Sequence, residues 1–301
     1  MVSLAGLKLC MALAIFVVNL ASGLMTLWAI KKARAKAKTV ELTANAVTAG
    51  LFLGIVVLLL LPELPIAEEE VRQAHHLTYR FSITSFSTVI GIILMIILDA
   101  SIRLWKQHSL EIEIGSEMID NSSALSPVPL LPTTPSTESL QKNLFKFVLF
   151  TTLMSLHSFF EGLPLGYKNT VADVTAFSVP MLIHKALEAV TVASAGQKEK
   201  KRHVALGCLL HSFMTPTGAL IGCLVNGDGD NFSKDLALLV IMGLSVGTML
   251  YITFIEVLAP LLSGSEFTGT SDFVKIAGIV VGFATTFLVS LGIGALEHST
   301  V

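Results

Sequence analysis

The stretch Leu144–Gly166 reads LFKFVLFTTLMSLHSFFEGLPLG, an almost unbroken apolar run with an imidazole and a carboxylate inside it. About 20 apolar residues suffice for a helix to cross the hydrocarbon core of a bilayer. His157 and Glu161 are four residues apart, so they share one helix face, one turn apart. Ionisable groups inside a bilayer are costly and by default face the bundle interior or water. The stretch therefore predicts a membrane helix that carries functional polar groups.

The composition of the chain indicates that this helix is one of several. Of the 301 residues, 53% are hydrophobic and 14% are charged, whereas soluble domains are about 25% charged. The apolar runs are continuous and do not alternate, which excludes the pattern of a membrane β-barrel. The fold class predicted is an all-α membrane protein with eight transmembrane helices. The predicted spans are Leu4–Ile30, Leu42–Leu61, Phe81–Leu104, Leu144–Tyr167, Val174–Ala195, Val204–Val225, Leu236–Leu262 and Phe273–Leu296.

Basic residues predict the orientation of these helices. Lys and Arg collect at one side, in the clusters 31–38 and 198–202, while the other side has only Arg72, Arg80, Lys168 and Lys234. By the positive-inside rule, both termini are expected outside. Three parts follow: helices one to three over residues 1–104, a cytoplasmic loop over 105–143, and helices four to eight over 144–301. The loop is rich in Ser, Thr and Pro and is expected to be disordered.

The fifth predicted helix repeats the spacing of the fourth. His184 and Glu188 stand in PMLIHKALEAV, again four residues apart. Two such faces opposed would present two imidazoles and two carboxylates to one point, a nitrogen and oxygen set suited to zinc. The two carboxylates would also neutralise a divalent cation inside the membrane. The paired motifs predict a metal site or an ion pathway made by His157, Glu161, His184 and Glu188.

Other interpretations of these residues stay open at this point. A single membrane His can make an interhelical hydrogen bond, and a single Glu can pair with Lys185. An intramembrane zinc-dependent hydrolase is the alternative function, although the helical H-E-x-x-H signature is absent and all four ligands would be used in coordination. A receptor or scaffold is a further alternative. The net charge of −2 gives no sign of a nucleic-acid partner.

At these residues the chain resembles the ZIP family of zinc and iron transporters, most of all the animal subfamily whose helix four reads HSxxEG. The resemblance rests on HSFFEG, HKALEA, GLFLGIVVLLLLPE, FMTPTG and YITFIEVLAP, and it extends from Leu4 to about Leu296. It implies a transporter and not an enzyme, with zinc as substrate and no resident cofactor. It further implies uptake into the cytoplasm, an elevator-like movement of helices one, four, five and six, a homodimer and the plasma membrane. Cadmium, iron and manganese are possible further ions.

Accessory positions depart from the family pattern. Many members bind a second metal through an amide, an acid and a Glu at the positions of Ser158, Lys185 and Thr215, none of which is a good divalent-cation ligand. The resemblance with these departures predicts a mononuclear site. His211 is placed one turn before Thr215, with packing and the site as alternatives. Glu256 on helix seven is predicted either to line the pathway or to pair structurally, and the outer carboxylates and His75 and His76 either attract cations or form a solvated connector.

Overall fold

The computed structural model describes residues 3–32, 37–78, 81–122, 135–197, 199–225, 231–263 and 269–300. Within these ranges the chain is helical, without a strand. The helices are Leu4–Lys32, Ala37–Gly54, Leu61–Ala74, Ile83–Ser122, Pro135–Tyr167, Val171–Ala195, Lys201–Val225, Asn231–Tyr251, Ala259–Ser263 and Gly269–Thr300, with π-helical segments at Ile55–Leu60 and Ile252–Leu258.

Eight helical spans in the described part of the chain are long and apolar enough to cross a membrane, which confirms the predicted fold class. In chain order we call them the first to the eighth span. They are Leu4–Ile30, Leu42–Ala74, Ile83–His108, Asn143–Tyr167, Val171–Ala195, Lys201–Val225, Phe232–Ser263 and Asp272–Gly292.

The second span is longer than the sequence predicts, because the helix continues beyond Leu61 as far as Ala74. A π-helical segment precedes Pro62, and the matching segment of the seventh span precedes Pro260. A proline ring clashes with the carbonyl four residues before it and offers no N–H. The wider turn therefore lets each helix pass its proline without ending.

The predicted cytoplasmic loop is partly taken up by its neighbouring helices. The helix of the third span continues to Ser122, and the helix of the fourth begins at Pro135. Residues 123–134 lie outside the described residues. The disorder expected for 105–143 is therefore not the conformation of its two flanks, and the prediction stays open for the remainder.

The spans pack as two groups. The first, fourth, fifth and sixth spans pack extensively against one another, and the second, third, seventh and eighth do the same. The groups meet mainly where the fourth span packs on the seventh and the fifth on the second. The polar faces of the fourth and fifth spans are thus placed inside the first group, next to the boundary between the two.

Glycine lets the helices within each group approach closely. A Cβ on Gly162 would collide with the carbonyl oxygen of Thr215, and one on Gly218 with that of Phe159, so the fourth and sixth spans touch backbone to backbone. Small residues four apart make such contacts possible in membranes. Equivalent contacts join the second span to the eighth and the third to the seventh, through Gly50, Gly54, Gly278 and Gly282, and through Gly91, Gly243 and Gly247.

Candidate metal centre

The fourth and fifth spans supply the four predicted ligand residues from buried helix positions. The fourth span is helical through Tyr167, so His157 and Glu161 lie one turn apart on one face. His184 and Glu188 hold the same relation on the fifth span, and all four side chains are buried. The helical spacing read from the sequence is therefore the spacing that the structure has.

The ring of His157 is oriented by the seventh span. Its Nδ1 lies 3.0 Å from the carbonyl oxygen of Ser245 and 3.1 Å from Oγ1 of Thr248. The Thr248 hydroxyl itself donates to the Ser245 carbonyl over 2.6 Å. A carbonyl can only accept, so the proton belongs on Nδ1 and the lone pair on Nε2. This is the arrangement in which outer partners fix a metal-ligating histidine.

The free nitrogen of His157 faces one oxygen from each carboxylate. Nε2 lies 3.4 Å from Oε2 of Glu161 and 3.4 Å from Oε1 of Glu188. A tetrahedral zinc site with bonds near 2.0–2.1 Å has ligand-to-ligand edges of about 3.3 Å. Neither Nε2 of His157 nor Oε1 of Glu188 has a hydrogen-bond partner among the described residues. Buried polar atoms are normally hydrogen-bonded. These atoms therefore have the spacing of metal ligands and lone pairs that are available to bind a metal ion.

His184 stands beside this trio and not within it. Its Nε2 contacts Oε1 of Glu161, the oxygen turned away from His157. The three residues with atoms close enough to share one ion are His157, Glu161 and Glu188. The structure thus brings together all four residues predicted from the motifs, with three around one point and His184 bound to the fourth-span carboxylate.

Lys185 reaches the same two carboxylates. Its ammonium contacts Oε2 of Glu161, lies 2.6 Å from Oε2 of Glu188, and donates to the Ser158 hydroxyl over 3.0 Å. The side chain is fully buried. The pairing of Glu with Lys185, left open by the sequence, is therefore formed, and it is formed at the candidate metal centre.

The other accessory residues line the side of the centre made by the sixth span. Nδ1 of His211 lies 3.3 Å from the Ser158 hydroxyl, and its Nε2 lies 3.8 Å from Oε2 of Glu188. Thr215 is fully buried one turn further along, and its hydroxyl has no hydrogen-bond partner among the described residues. His211 therefore lies beside the centre, and a role at the site stays a prediction.

Glu256 lies elsewhere. Its carboxylate accepts from Arg103 over 3.1 Å, and Arg103 also donates to Asp99 over 2.7 Å. Tyr251 donates to the second oxygen of Asp99 over 2.9 Å. These contacts tie the third span to the seventh within one packing group. Of the two predicted roles for Glu256, the structure shows the structural pairing.

The outer carboxylates include both buried, hydrogen-bonded residues and exposed ones. Glu68 is buried and accepts hydrogen bonds from Ser82 and Thr84 at the start of the third span. His75 pairs with Asp235 over 2.8 Å. Glu69 and Glu70 are exposed. Glu68 thus joins two spans and is not part of a free anionic mouth.

The two residues that orient the His157 ring could not be predicted from the sequence. Ser245 acts through its main-chain oxygen, and any residue type can supply that atom. Thr248 is an ordinary polar residue in an apolar run, and its role depends on which span packs against it.

Asn19 is a polar residue that could have been noticed in the sequence, because its amide stands inside the first apolar run. In the structure it is fully buried, with both amide atoms unpaired among the described residues.

The fold and the centre define a class, a multi-pass membrane protein with a buried histidine and carboxylate cluster at the boundary between two helix groups. Residues 5–290 match the ZIP zinc transporter family, and the chain belongs to that family. It is 28% identical to zinc transporter ZIP1 of Homo sapiens over 251 residues, 78% of this chain and 73% of the relative. It is 31% identical to zinc transporter ZIP2 of Mus musculus over 159 residues, 52% of this chain and 50% of the relative. These are transporters, which agrees with the prediction that the chain is not an enzyme.

Proposed function

We propose that this protein carries zinc across the membrane through the buried centre between its fourth and fifth spans. Family membership supports zinc as the transported ion. The observation that carries the site assignment is the position of His157 Nε2, 3.4 Å from an oxygen of each of two carboxylates. Zinc is the substrate here and not a resident cofactor. Neutral imidazole and carboxylate ligands hold zinc without the tighter grip of thiolates, which suits an ion in passage.

The proposed site holds one metal ion. His157, Glu161 and Glu188 supply three ligands, and a rotation that frees His184 from Glu161 would supply a fourth. A second ion beside Glu188 would have to displace the Lys185 ammonium, 2.6 Å from that carboxylate. Like charges at this distance repel strongly in a buried setting. A zinc-soaked structure with two ions bridged by Glu188 would contradict this assignment.

An elevator-like movement is proposed for alternating access. Glycine contacts bind helices within each group, whereas the boundary between the groups is mainly an apolar cluster, with Phe52 and Met249 on one side and Met154 and Val192 on the other. Polar contacts also cross the boundary, such as Gln197 with Asn45 at 3.3 Å. His157 contacts the seventh span across the same boundary. The first, fourth, fifth and sixth spans would then slide as one body with the ion along this largely apolar boundary, where the side-chain contacts are non-directional. The remaining four spans would serve as the fixed body and as the dimer contact.

Inward direction and plasma-membrane residence complete the proposal. They rest on the resemblance and on the distribution of Lys and Arg, which puts both termini outside. Epitope tags at the two termini, stained in intact and in permeabilised cells, test this orientation. Staining of either terminus only after permeabilisation would contradict it.

Radiozinc flux into proteoliposomes that contain the purified protein tests the proposed function. The double variant His157→Ala with Glu188→Ala is expected to lose at least about 100-fold of the flux, since first ligands and charge neutralisation disappear together. The matched control is His203→Ala with Glu69→Ala, which removes the same residue types at partly exposed positions outside the centre. Full flux in the site variant would refute the assignment. Hydrolysis without flux would favour the alternative, an intramembrane hydrolase.

A further inference from the structure

Lys185 occupies the position where a cation is needed. Its ammonium contacts the carboxylates of both Glu161 and Glu188, the two acidic residues of the candidate metal centre. The side chain is fully buried, so water does not screen these contacts. The remaining donor reaches the Ser158 hydroxyl at 3.0 Å. The two carboxylates are therefore bridged by a cation that belongs to the protein.

The charge at the centre explains why such a cation matters. With neutral imidazoles, the two carboxylates and one ammonium leave the empty centre with a net charge of −1. Without Lys185 the empty centre would carry two uncompensated carboxylates. A buried carboxylate without a partner carries the full penalty of removing an ion from water. A carrier must return its empty site through the same low-dielectric boundary that it crosses when loaded.

We propose that Lys185 is a tethered substitute for the metal, which holds Glu161 and Glu188 together while the empty carrier returns and gives way when zinc binds. This inference rests on the proposed transport function and adds a role for one residue in one half of the cycle. Zinc and the ammonium compete directly for Oε2 of Glu161, and on Glu188 they face the two different oxygens of one carboxylate. Lys185 therefore weakens zinc binding and speeds the return of the empty site.

The displaced ammonium has acceptors within reach on the sixth span. Nδ1 of His211 lies 3.3 Å from Ser158, the residue to which Lys185 donates. Nε2 of His211 and the hydroxyl of Thr215, one turn further on, have no hydrogen-bond partner among the described residues. Each can accept a hydrogen bond from an ammonium. The side of the centre away from His157 thus offers a second position for the Lys185 head group.

Asn19 extends this second position from the first span. Gly23 of that span packs against Cys208 of the sixth and the carbonyl of Ala189 of the fifth. The first and fifth spans run in the same direction, so we expect Asn19, one turn before Gly23, at the level of Lys185, one turn before Ala189. Both atoms of its amide are buried and unpaired among the described residues. An unpaired buried amide is costly, and its oxygen can accept a hydrogen bond from an ammonium.

Comparing net uptake with exchange separates the two halves of the cycle. Net uptake of radiozinc into zinc-free proteoliposomes requires return of the empty site, whereas exchange with equal zinc on both sides does not. For Lys185→Met, which keeps the length and removes the charge, we expect the ratio of net uptake to exchange to fall at least tenfold. Lys185→Arg should stay within threefold of the wild-type ratio. Lys8→Met is the matched control, since Lys8 is also buried but donates to Gly166, away from the centre.

A charge-restoring variant keeps the test informative if the single variant folds poorly. Glu188→Gln with Lys185→Met returns the empty centre to a net charge of −1, so its ratio should recover although its zinc affinity is weaker. Equilibrium zinc binding gives a second readout. Lys185→Met should bind zinc more tightly than wild type because a competitor is removed, whereas loss of a merely structural lysine would weaken binding.

Each outcome supports or overturns a stated claim. Equal loss of net uptake and exchange in Lys185→Met, with weakened zinc binding, would overturn the proposal. An unchanged ratio would overturn it as well, and so would a double variant with no higher ratio than the single one. Absence of both fluxes from the wild-type protein would instead overturn the transport function on which the inference rests.

Discussion

Glu68 provides a direct test of how the outer ends of two spans are joined. The residue is 3% exposed and accepts from the hydroxyls of Thr84 at 2.6 Å and Ser82 at 2.8 Å. It also accepts from the main-chain N–H groups of Ile83 at 3.1 Å and Thr84 at 3.3 Å. The carboxylate of the second span thus satisfies the first free N–H donors of the helix of the third span, as a cap supplied from another helix.

The size of the effect follows from these contacts. A cap is worth about 1 kcal/mol, and a hydrogen bond to a charged group about 1.5–3 kcal/mol, but the four bonds share one acceptor and do not add. We expect Glu68→Ala to lower the free energy of unfolding by about 2–4 kcal/mol. For a chain of this size, that is roughly 3–6 °C in the melting temperature.

Thermal unfolding of the purified protein in detergent measures this loss, and Glu70→Ala is the matched control. Glu70 is exposed on the same helix, so its replacement removes the same charge without removing the cap. Zinc flux at saturating zinc should change little in either variant. Equal melting temperatures of the two variants would refute the capping role. A shared loss of apparent zinc affinity would favour the alternative, an anionic mouth that attracts cations.

Three further predictions concern the helix contacts and the centre. Gly218→Ala should destabilise the protein by about 1–3 kcal/mol and weaken zinc binding, because the added Cβ would collide with a carbonyl oxygen of the fourth span. Gly292→Ala is the control, since Gly292 has open space around it, and it should change neither the melting temperature nor zinc binding. Glu256→Gln should keep zinc flux within about threefold, since its partner Arg103 is half-exposed and such pairs contribute about 0–1 kcal/mol; a 100-fold loss of flux would place it on the pathway. Zinc at 100 times its Kd should stabilise the wild-type protein by about 2.7 kcal/mol in a thermal shift assay, and Glu161→Gln should lose most of that stabilisation; an equal shift in both would exclude Glu161 as a ligand.

Pattern and composition predicted the fold class because a bilayer leaves few choices. Backbone groups in hydrocarbon must be satisfied within the segment, so a long apolar run is a helix before any tertiary contact is considered. The limits of that reasoning appear at Leu61. The predicted span ends at Leu61, whereas in the structure a π-helical segment accommodates Pro62 and the helix continues to Ala74.

The candidate centre divides in the same way. The four-residue spacing in HSFFEG and HKALEA placed His157 with Glu161 and His184 with Glu188, since helical geometry is local and periodic. Packing decides which groups face each other across spans. Packing depends on close backbone contacts at glycines, and a glycine in the sequence does not identify which span will contact it. Three contacts therefore could not be predicted from the sequence: the hydrogen bond from His157 to the Ser245 carbonyl, the pairing of His184 with Glu161, and the pairing of Glu256 with Arg103.

Lys185 shows the division most clearly. The sequence alone determined that a cation stands in the fifth span beside a proposed ligand, and that it replaces an acid expected from the resemblance. Only the tertiary structure decided that its ammonium reaches the carboxylates of two different spans, Glu161 and Glu188, and is fully buried there. The physical reason is that the residue type determines the charge of a side chain, whereas the partner of that charge depends on which helix faces meet. In a bilayer, close packing between spans decides which faces meet.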